Sequence, residues 1–445
     1  MIVRIPVAMA YVLMPATGDR VVRSIGAFGA RSAIAAVLCA GALACNSDST
    51  GPRPVADRAV AVSYCAAVTP TWVAFRDGDG AWTREMPSVS GSTTTFRHSF
   101  TSNRAAIASL TRVLDGEFTV LRVLYGAPEE LSTDGDTTSP DCLTGAFKSL
   151  RGTVAGIATT EAAFIAVGPL ARTGVVPREG LDFTIDGVAA GPQDLLAVRT
   201  AQAAPPRLII RRDLDLPNGS VVPTLDFASS EAFDMVAATL TIGNLGGEGN
   251  PVVDFSVLTT AHGEFFLPIA ASGNGSPQPY LALPADKLLA GDLERLHVSA
   301  NGNSSRTADV YFRTPTDRTV TLGSQIQAPT ISVIAGGATP RLRAHYMAQA
   351  DYDKVSSIVY NQPTSTGFVA VSMTPAYAAL AGGYDLDVPD LASVAGFDSS
   401  WALQTGVINW TATRTGGTLP LARDAKPVDG ATRLTSLAQG TITLP

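Results

Sequence analysis

Turn-forming residues interrupt this chain so often that long helices have little room to form. Forty-one Gly and 29 Pro punctuate the 445 residues, and these two are the least favourable residues in a helix interior. Between them lie short apolar-alternating runs bounded by Gly, Asp, Asn and Pro, which is how strands and their turns are written. The pattern predicts an all-β chain of several consecutive antiparallel β-sandwich domains with few short helices. At roughly 100–200 residues per domain, two to four domains are expected.

Charge narrows the function classes. Thirty-two basic and 39 acidic residues leave a formal charge of −7 and a pI near 5.2. A nucleic-acid binder needs a basic face, so no nucleic-acid partner is expected. The 46% apolar content argues against wholesale disorder. No apolar run reaches the roughly 18–20 uncharged residues of a membrane-spanning helix.

The first forty-odd residues are read apart from the fold. Arg20, Arg23 and Arg31 precede the apolar stretch Ser32 to Ala44, followed by Cys45 and the polar tract Asn46-Ser47-Asp48-Ser49-Thr50. A basic region, a short apolar region and small residues before a cut form a secretory signal. The order Ala42-Leu43-Ala44-Cys45 resembles a bacterial lipobox, with Ala42 where that family usually has Leu. The resemblance implies that 1–44 is a signal peptide and that Cys45 becomes the lipid-modified first residue. Acyl chains would then supply the membrane attachment, and 45–58 would be a tether. The signal is longer than the usual ~15–30 residues, and a start at Met14 would bring it to about 30. Without 1–44 the chain loses four Arg and one Asp, and its formal charge moves from −7 to −10. The expected location is the cell envelope, membrane-anchored and facing the periplasm or the surface.

In the exported chain Cys65 and Cys142 remain. An even pair in an oxidising compartment predicts a disulfide. It would tie the first strand of a β domain over 59–147 to its end. Within that domain Trp72 to Arg76, Asp77-Gly78-Asp79-Gly80 and Ala81 to Glu85 read as a hairpin that sets Phe75 opposite Trp82. Strands are expected at Thr94 to Phe100, Ala105 to Val113 and Phe118 to Tyr125, with a short helix at Pro128 to Leu131.

Segment 148–230 carries Gly152-Thr153-Val154-Ala155-Gly156, then Gly180 to Ile185, then Gly191 to Val198. These runs resemble the prealbumin-like, carboxypeptidase-regulatory-type sandwich, whose strands open G-x-V-x-G, G-x-F-x-F and G-x-Y-x-L. Ile185 replaces the second Phe, and the Tyr position falls in Asp194-Leu195. The resemblance implies a stalk or accessory module. From 231 to 445 strands recur at the ~8–12-residue spacing of Ig-like sandwiches, as one domain or two divided near 330. Short helices are expected at Ala285 to Leu289 and Pro375 to Leu380.

Chemistry is sparse. His98, His262, His297 and His345 show no metal-ligand spacing, and His98 shares a strand face with Thr94, Phe96 and Phe100. No G-x-S-x-G elbow, phosphate loop or dinucleotide fingerprint follows a strand. No catalytic residue is assigned, and no cofactor is expected apart from a candidate Ca²⁺. Asp385, Asp387 and Asp390 form the candidate metal set, with Asp351 and Asp353 a second acidic pair. Carboxylates so spaced suit Ca²⁺, which takes six to eight oxygens, or the acid and nucleophile of a glycosidase. Trp72, Trp401 and Trp410 are candidate sugar-stacking rings. The leading expectation is a non-enzymatic, lipid-anchored envelope protein in structure, adhesion or binding. A carbohydrate-binding or Ca²⁺-stabilised accessory protein of a nutrient system, and a secreted hydrolase with its site in 231–445, are the alternatives.

Overall fold

The computed structural model describes residues 58–113, 118–131, 147–169, 171–200, 205–259, 263–272, 275–302, 305–362, 367–420 and 426–445. The chain opens with β1 (Arg58–Cys65), β2 (Trp72–Asp77), β3 (Thr83–Arg84), β4 (Ser88–Ser90), β5 (Thr93–Phe100), β6 (Ala105–Val113), β7 (Phe118–Gly126) and α1 (Pro128–Leu131). A second group follows: β8 (Lys148–Ala155), β9 (Ala162–Val167), β10 (Ala171–Val175), β11 (Asp182–Val188), β12 (Gln193–Thr200), β13 (Arg207–Leu214), β14 (Leu225–Asp226) and β15 (Phe233–Asp234). The third comprises β16 (Val236–Gly243), β17 (Gly249–Thr259), β18 (Gly263–Ser272), β19 (Gln278–Ala282), β20 (Leu293–Asn301), β21 (Ser305–Phe312) and β22 (Arg318–Thr321). The last is β23 (Thr330–Ile334), β24 (Arg341–Tyr346), β25 (Ser356–Asn361), β26 (Gly367–Met373), α2 (Pro375–Ala381), β27 (Tyr384–Asp387), β28 (Gly406–Gly416) and β29 (Thr432–Leu444). The fold is all-β, with stacked sheets and two short α-helices among the described residues.

Two of the expected helices form, at Pro128–Leu131 and Pro375–Ala381. Thr374 caps α2 by accepting the Tyr377 N–H, Pro375 occupies the first turn, and Gly382 ends it at φ 82°. At Ala285–Lys287 the chain makes a single 3-10 turn.

One twelve-stranded sheet runs through the molecule in the order β18-β17-β20-β21-β29-β28-β25-β26-β7-β6-β2-β3. Its β17–β21 end packs on the sheet β19-β16-β22 around Leu240, Phe255, Leu296, Val298 and Phe312. Its other end is covered on both faces. The sheet β23-β24-β27 lies over one face, around Leu110, Leu342, Ala344 and Leu386. The sheet β1-β5-β4 lies over the other, around Val62, Phe75, Phe96 and Ile107. This explains why Trp72 to Phe75 and Ala105 to Leu110 are buried without alternation. A strand covered twice needs an apolar residue at every position.

Segment 148–234 makes its own two layers, β10-β9-β12-β13-β15 on β11-β8-β14, around Ile165, Phe183, Leu195 and Ile209. Its opening strand explains one motif glycine. Gly152 pairs with Phe183, and a Cβ at 152 would stand 2.4 Å from the Phe183 ring. The Phe ring of one motif lies where the glycine of the other leaves room.

Two expectations are corrected. Phe75 is paired with Thr83, not Trp82. A shift of one residue reverses the face, so Phe75 packs toward β1 and β5, whereas Trp82 packs on the opposite side beneath Arg76. The cause lies in the turn. Asp77 Oδ1 and Oδ2 accept the Ser102 and Thr101 N–H groups at 2.8 and 2.9 Å, and Gly80 N–H closes back on the Asp77 carbonyl. Ala81 and Trp82 are thereby left outside the ladder. Second, the strands of 59–147 do not close on themselves. β7 pairs in parallel with β26, from Thr119 with Gly367 to Tyr125 with Met373. The first and last parts of the chain therefore share one sheet, and the chain between them forms the rest. In 231–445, β22 and β23 join different sheets on either side of 330, yet β29 returns to pair with β21 from Thr432 to Leu437.

Candidate functional site

The acidic residues singled out by spacing lie on or just after β27 but do not converge. Alternate positions on a strand stand about 7 Å apart, and each carboxylate meets its own partner across the ladder. Asp387 takes a two-pronged bond from Arg343, Nε at 2.6 Å and Nη2 at 2.7 Å. That bond holds the guanidinium above its ordinary range. Asp385 meets His345 Nδ1 at 2.6 Å, while Leu386 between them is fully buried. Asp390 accepts the N–H groups of Ala338 and Ala392 at 3.3 and 3.2 Å. Asp351 binds the Ser324 backbone and hydroxyl, and Asp353 binds Lys354. Among the described residues no group of three or more His, Cys, Asp or Glu is placed to hold a metal. The carboxylates of this region serve as ion-pair and loop struts.

Two of the three tryptophans meet. Trp72 is 2% exposed, its Nε1 donates to the Ala395 carbonyl at 3.1 Å, and its ring lies 6.3 Å from Trp401 and 5.5 Å from Phe397. Trp401 sits on the 3-10 turn Ser399–Trp401, held by Asp398 accepting the Ser400 N–H, and keeps part of its ring at the surface. Trp410 is elsewhere, buried against Gly440, where a Cβ would come within 2.3 Å of its ring. Trp72 and Trp410 are core rings, and Trp401 alone of the three retains surface.

The described histidines each meet a carboxylate, His297 and His345 across a strand ladder and His98 outside one. His98 stacks on Phe75 at 5.2 Å with its Nδ1 2.7 Å from Glu85. His262 lies outside the described residues. His297 stands in register between Asp254 on β17 and Asp309 on β21, and Asp309 in turn faces Arg433 on β29. The His297 Nδ1 to Asp309 distance is 2.7 Å. Burial disfavours charge on His297, but the hydrogen bond and charge of Asp309 outweigh it and raise the imidazole above its ordinary value. The same pairing holds Asp309 below its usual range against the pull of burial.

Three charged residues occupy core-facing strand positions. They were not singled out from the sequence, although period-2 alternation was the available signal for each. Glu294 precedes Leu296, Val298 and Ala300; Arg306 precedes Ala308; Arg414 follows Ile408, Trp410 and Ala412. Every nitrogen of Arg306 donates a hydrogen bond. It forks onto Glu248, Nε and Nη2 each at 2.7 Å, and donates to the carbonyls of Gly323 at 2.6 Å and Asn244 at 2.9 Å. Gln325 also donates to Glu248 at 3.0 Å. The Arg306 hydrogen bond pulls the Glu248 carboxyl down to about 2 despite burial. This network ties the loop before β17 and the segment after β22 to the β21–β29 seam. Glu294 is 0% exposed; its Oε1 accepts the Leu283 N–H at 2.5 Å and its Oε2 has no partner. Burial pushes its carboxyl up to about 8.

Arg212 fastens the second group of strands to the third. It bonds Asp194 at 3.0 Å and Asp292 at 2.7 Å, both carboxylates 1% exposed. Cys65 is buried at the end of β1 and disulfide-bonded. Cys45 and Cys142 lie outside the described residues, so the Cys65–Cys142 pairing stays a proposal.

No family model and no curated protein matches the chain. Among solved structures it is similar to the crystal structure of a tetra-tandem repeat in the extending region of a large adhesion protein. That likeness has 11% identity and a TM-score of 0.15, and covers 87% of this chain and 99% of the other.

Proposed function

We propose that this chain is a non-enzymatic, lipid-anchored protein of a bacterial cell envelope with a structural, adhesion or binding role. The observation that carries the reading is the run Ser32 to Cys45, an apolar segment ending in Ala-Leu-Ala-Cys before a polar tether. The sandwich architecture supports it, and so does the use of polar side chains as struts between strands and sheets. The prealbumin-like segment 148–230 then serves as a stalk or accessory module, in keeping with the packing of Gly152 on Phe183. Oxidation in an exported compartment pairs Cys65 with Cys142.

Labelling with radioactive palmitate tests the anchor. The full chain is expected to take up label and fractionate with membranes. Cys45→Ser is expected to lose the label and appear in the soluble exported fraction. Label that persists in Cys45→Ser, or an unlabelled parent chain, refutes the lipid anchor.

A further inference from the structure

Two arginines among the described residues are at least nine-tenths buried, Arg306 and Arg414. Arg306 faces a carboxylate. Arg414, 1% exposed, has carbonyls and phenols around it instead. Its Nη1 donates to Met347 O at 2.6 Å and its Nη2 to Tyr352 O at 3.1 Å. The guanidinium lies 5.1 Å from the Tyr384 ring and 5.8 Å from the Tyr346 ring. Burial raises all three phenols, Tyr346, Tyr352 and Tyr384, so none offers a negative charge near neutral pH. A buried cation without a counter-charge is strongly unfavourable.

The unused donors point to what balances it. Arg414 on β28 stands directly opposite Ser356 on β25. Arg414 Nε and Ser356 Oγ are both buried without a hydrogen-bond partner. A water molecule would satisfy the donors and leave the charge. A doubly charged oxyanion would overcompensate it. We propose that a chloride-sized monovalent anion binds between Arg414 Nε and Ser356 Oγ, beside the half-buried Tyr384. It accepts from both groups, neutralises the guanidinium and pins the 347–352 loop to the sheet.

Bromide is the probe. Crystals of the full protein grown in sodium bromide are expected to show an anomalous peak within hydrogen-bond distance of Arg414 and Ser356. The melting temperature is expected to rise as bromide replaces gluconate at constant ionic strength, since a ligand of the native state stabilises it by mass action. Ser356→Ala is expected to need at least tenfold more bromide for the same rise, and Arg414→Met to lose the dependence. Should Arg414→Met fail to fold, the peak and the Ser356→Ala titration decide. No peak at this position, or a bromide dependence unchanged in Ser356→Ala, overturns the proposal.

Discussion

Glu248→Ala is expected to lower folding stability by about 3–5 kcal/mol, the range for removing one partner of a buried ion pair. The reason is what remains behind. Arg306 would keep its bonds to Gly323 and Asn244 but hold an uncompensated charge in a site 2% exposed. The loss should fall on the β21–β29 seam, where Arg306 faces Ser436. Urea unfolding followed by circular dichroism measures it. Replacing Glu248 and Arg306 together with Leu and Met should recover most of the loss, because an apolar pair of similar volume removes both charges. Acid acts in the same direction. The Glu248 carboxyl is depressed in the folded chain to about 2 from an ordinary 4.5. Its contribution is therefore present above pH 4.5 and lost as pH falls through about 2. A Glu248→Ala protein as stable as the parent would remove the seam network from the account.

Alkali should act on the other half of the seam region, through Glu294. Its folded value is raised to about 8 from 4.5 by burial. The folded state then holds a proton that the unfolded chain has released. The resulting stabilisation is complete below pH 4.5 and declines as pH rises through about 8. The parent is expected to lose a few kcal/mol across that interval, at roughly 1.4 kcal/mol per pKa unit. Tyr280 on β19 and Arg318 on β22 are the other titratable or charged groups that act on Glu294. Glu294→Gln keeps the Leu283 bond and carries no charge, so its stability should be flat between pH 4.5 and 6.5, where the parent's falls and His297 is protonated in both states. His297 contributes with the same sign, since its value is also raised and its stabilisation is lost as pH rises past it. A Glu294→Gln, His297→Gln double variant separates the two. An unchanged alkaline limb in Glu294→Gln would contradict the burial argument.

Local signals were legible wherever one element and its own neighbours decide the outcome. β6 spans Ala105–Val113, and α1 and α2 begin at Pro128 and Pro375, each as expected from the sequence. Phe75 and Trp82 went to opposite faces because Asp77 is engaged by Thr101 and Ser102, a contact that hairpin spacing does not encode. The β7–β26 ladder joins residues more than two hundred positions apart, and no pattern in either strand names the other. Asp385 and Asp387 were found as a pair on one face, but their partners Arg343 and His345 lie on β24. Glu294, Arg306 and Arg414 were not singled out from the sequence, although each interrupts the apolar face of its strand and that interruption was the available signal.

The organisation rests on β7 and β26 lying side by side, so that β2, β3, β6 and β7 share one sheet with β25, β26, β28 and β29. Arg122→Cys with Ala370→Cys tests this most directly, because these half-buried residues are partners in that ladder. The exported double variant is expected to form the 122–370 disulfide without added oxidant, recovered as one linked peptide by mass spectrometry. Free thiols at both positions in a folded protein would contradict the shared sheet.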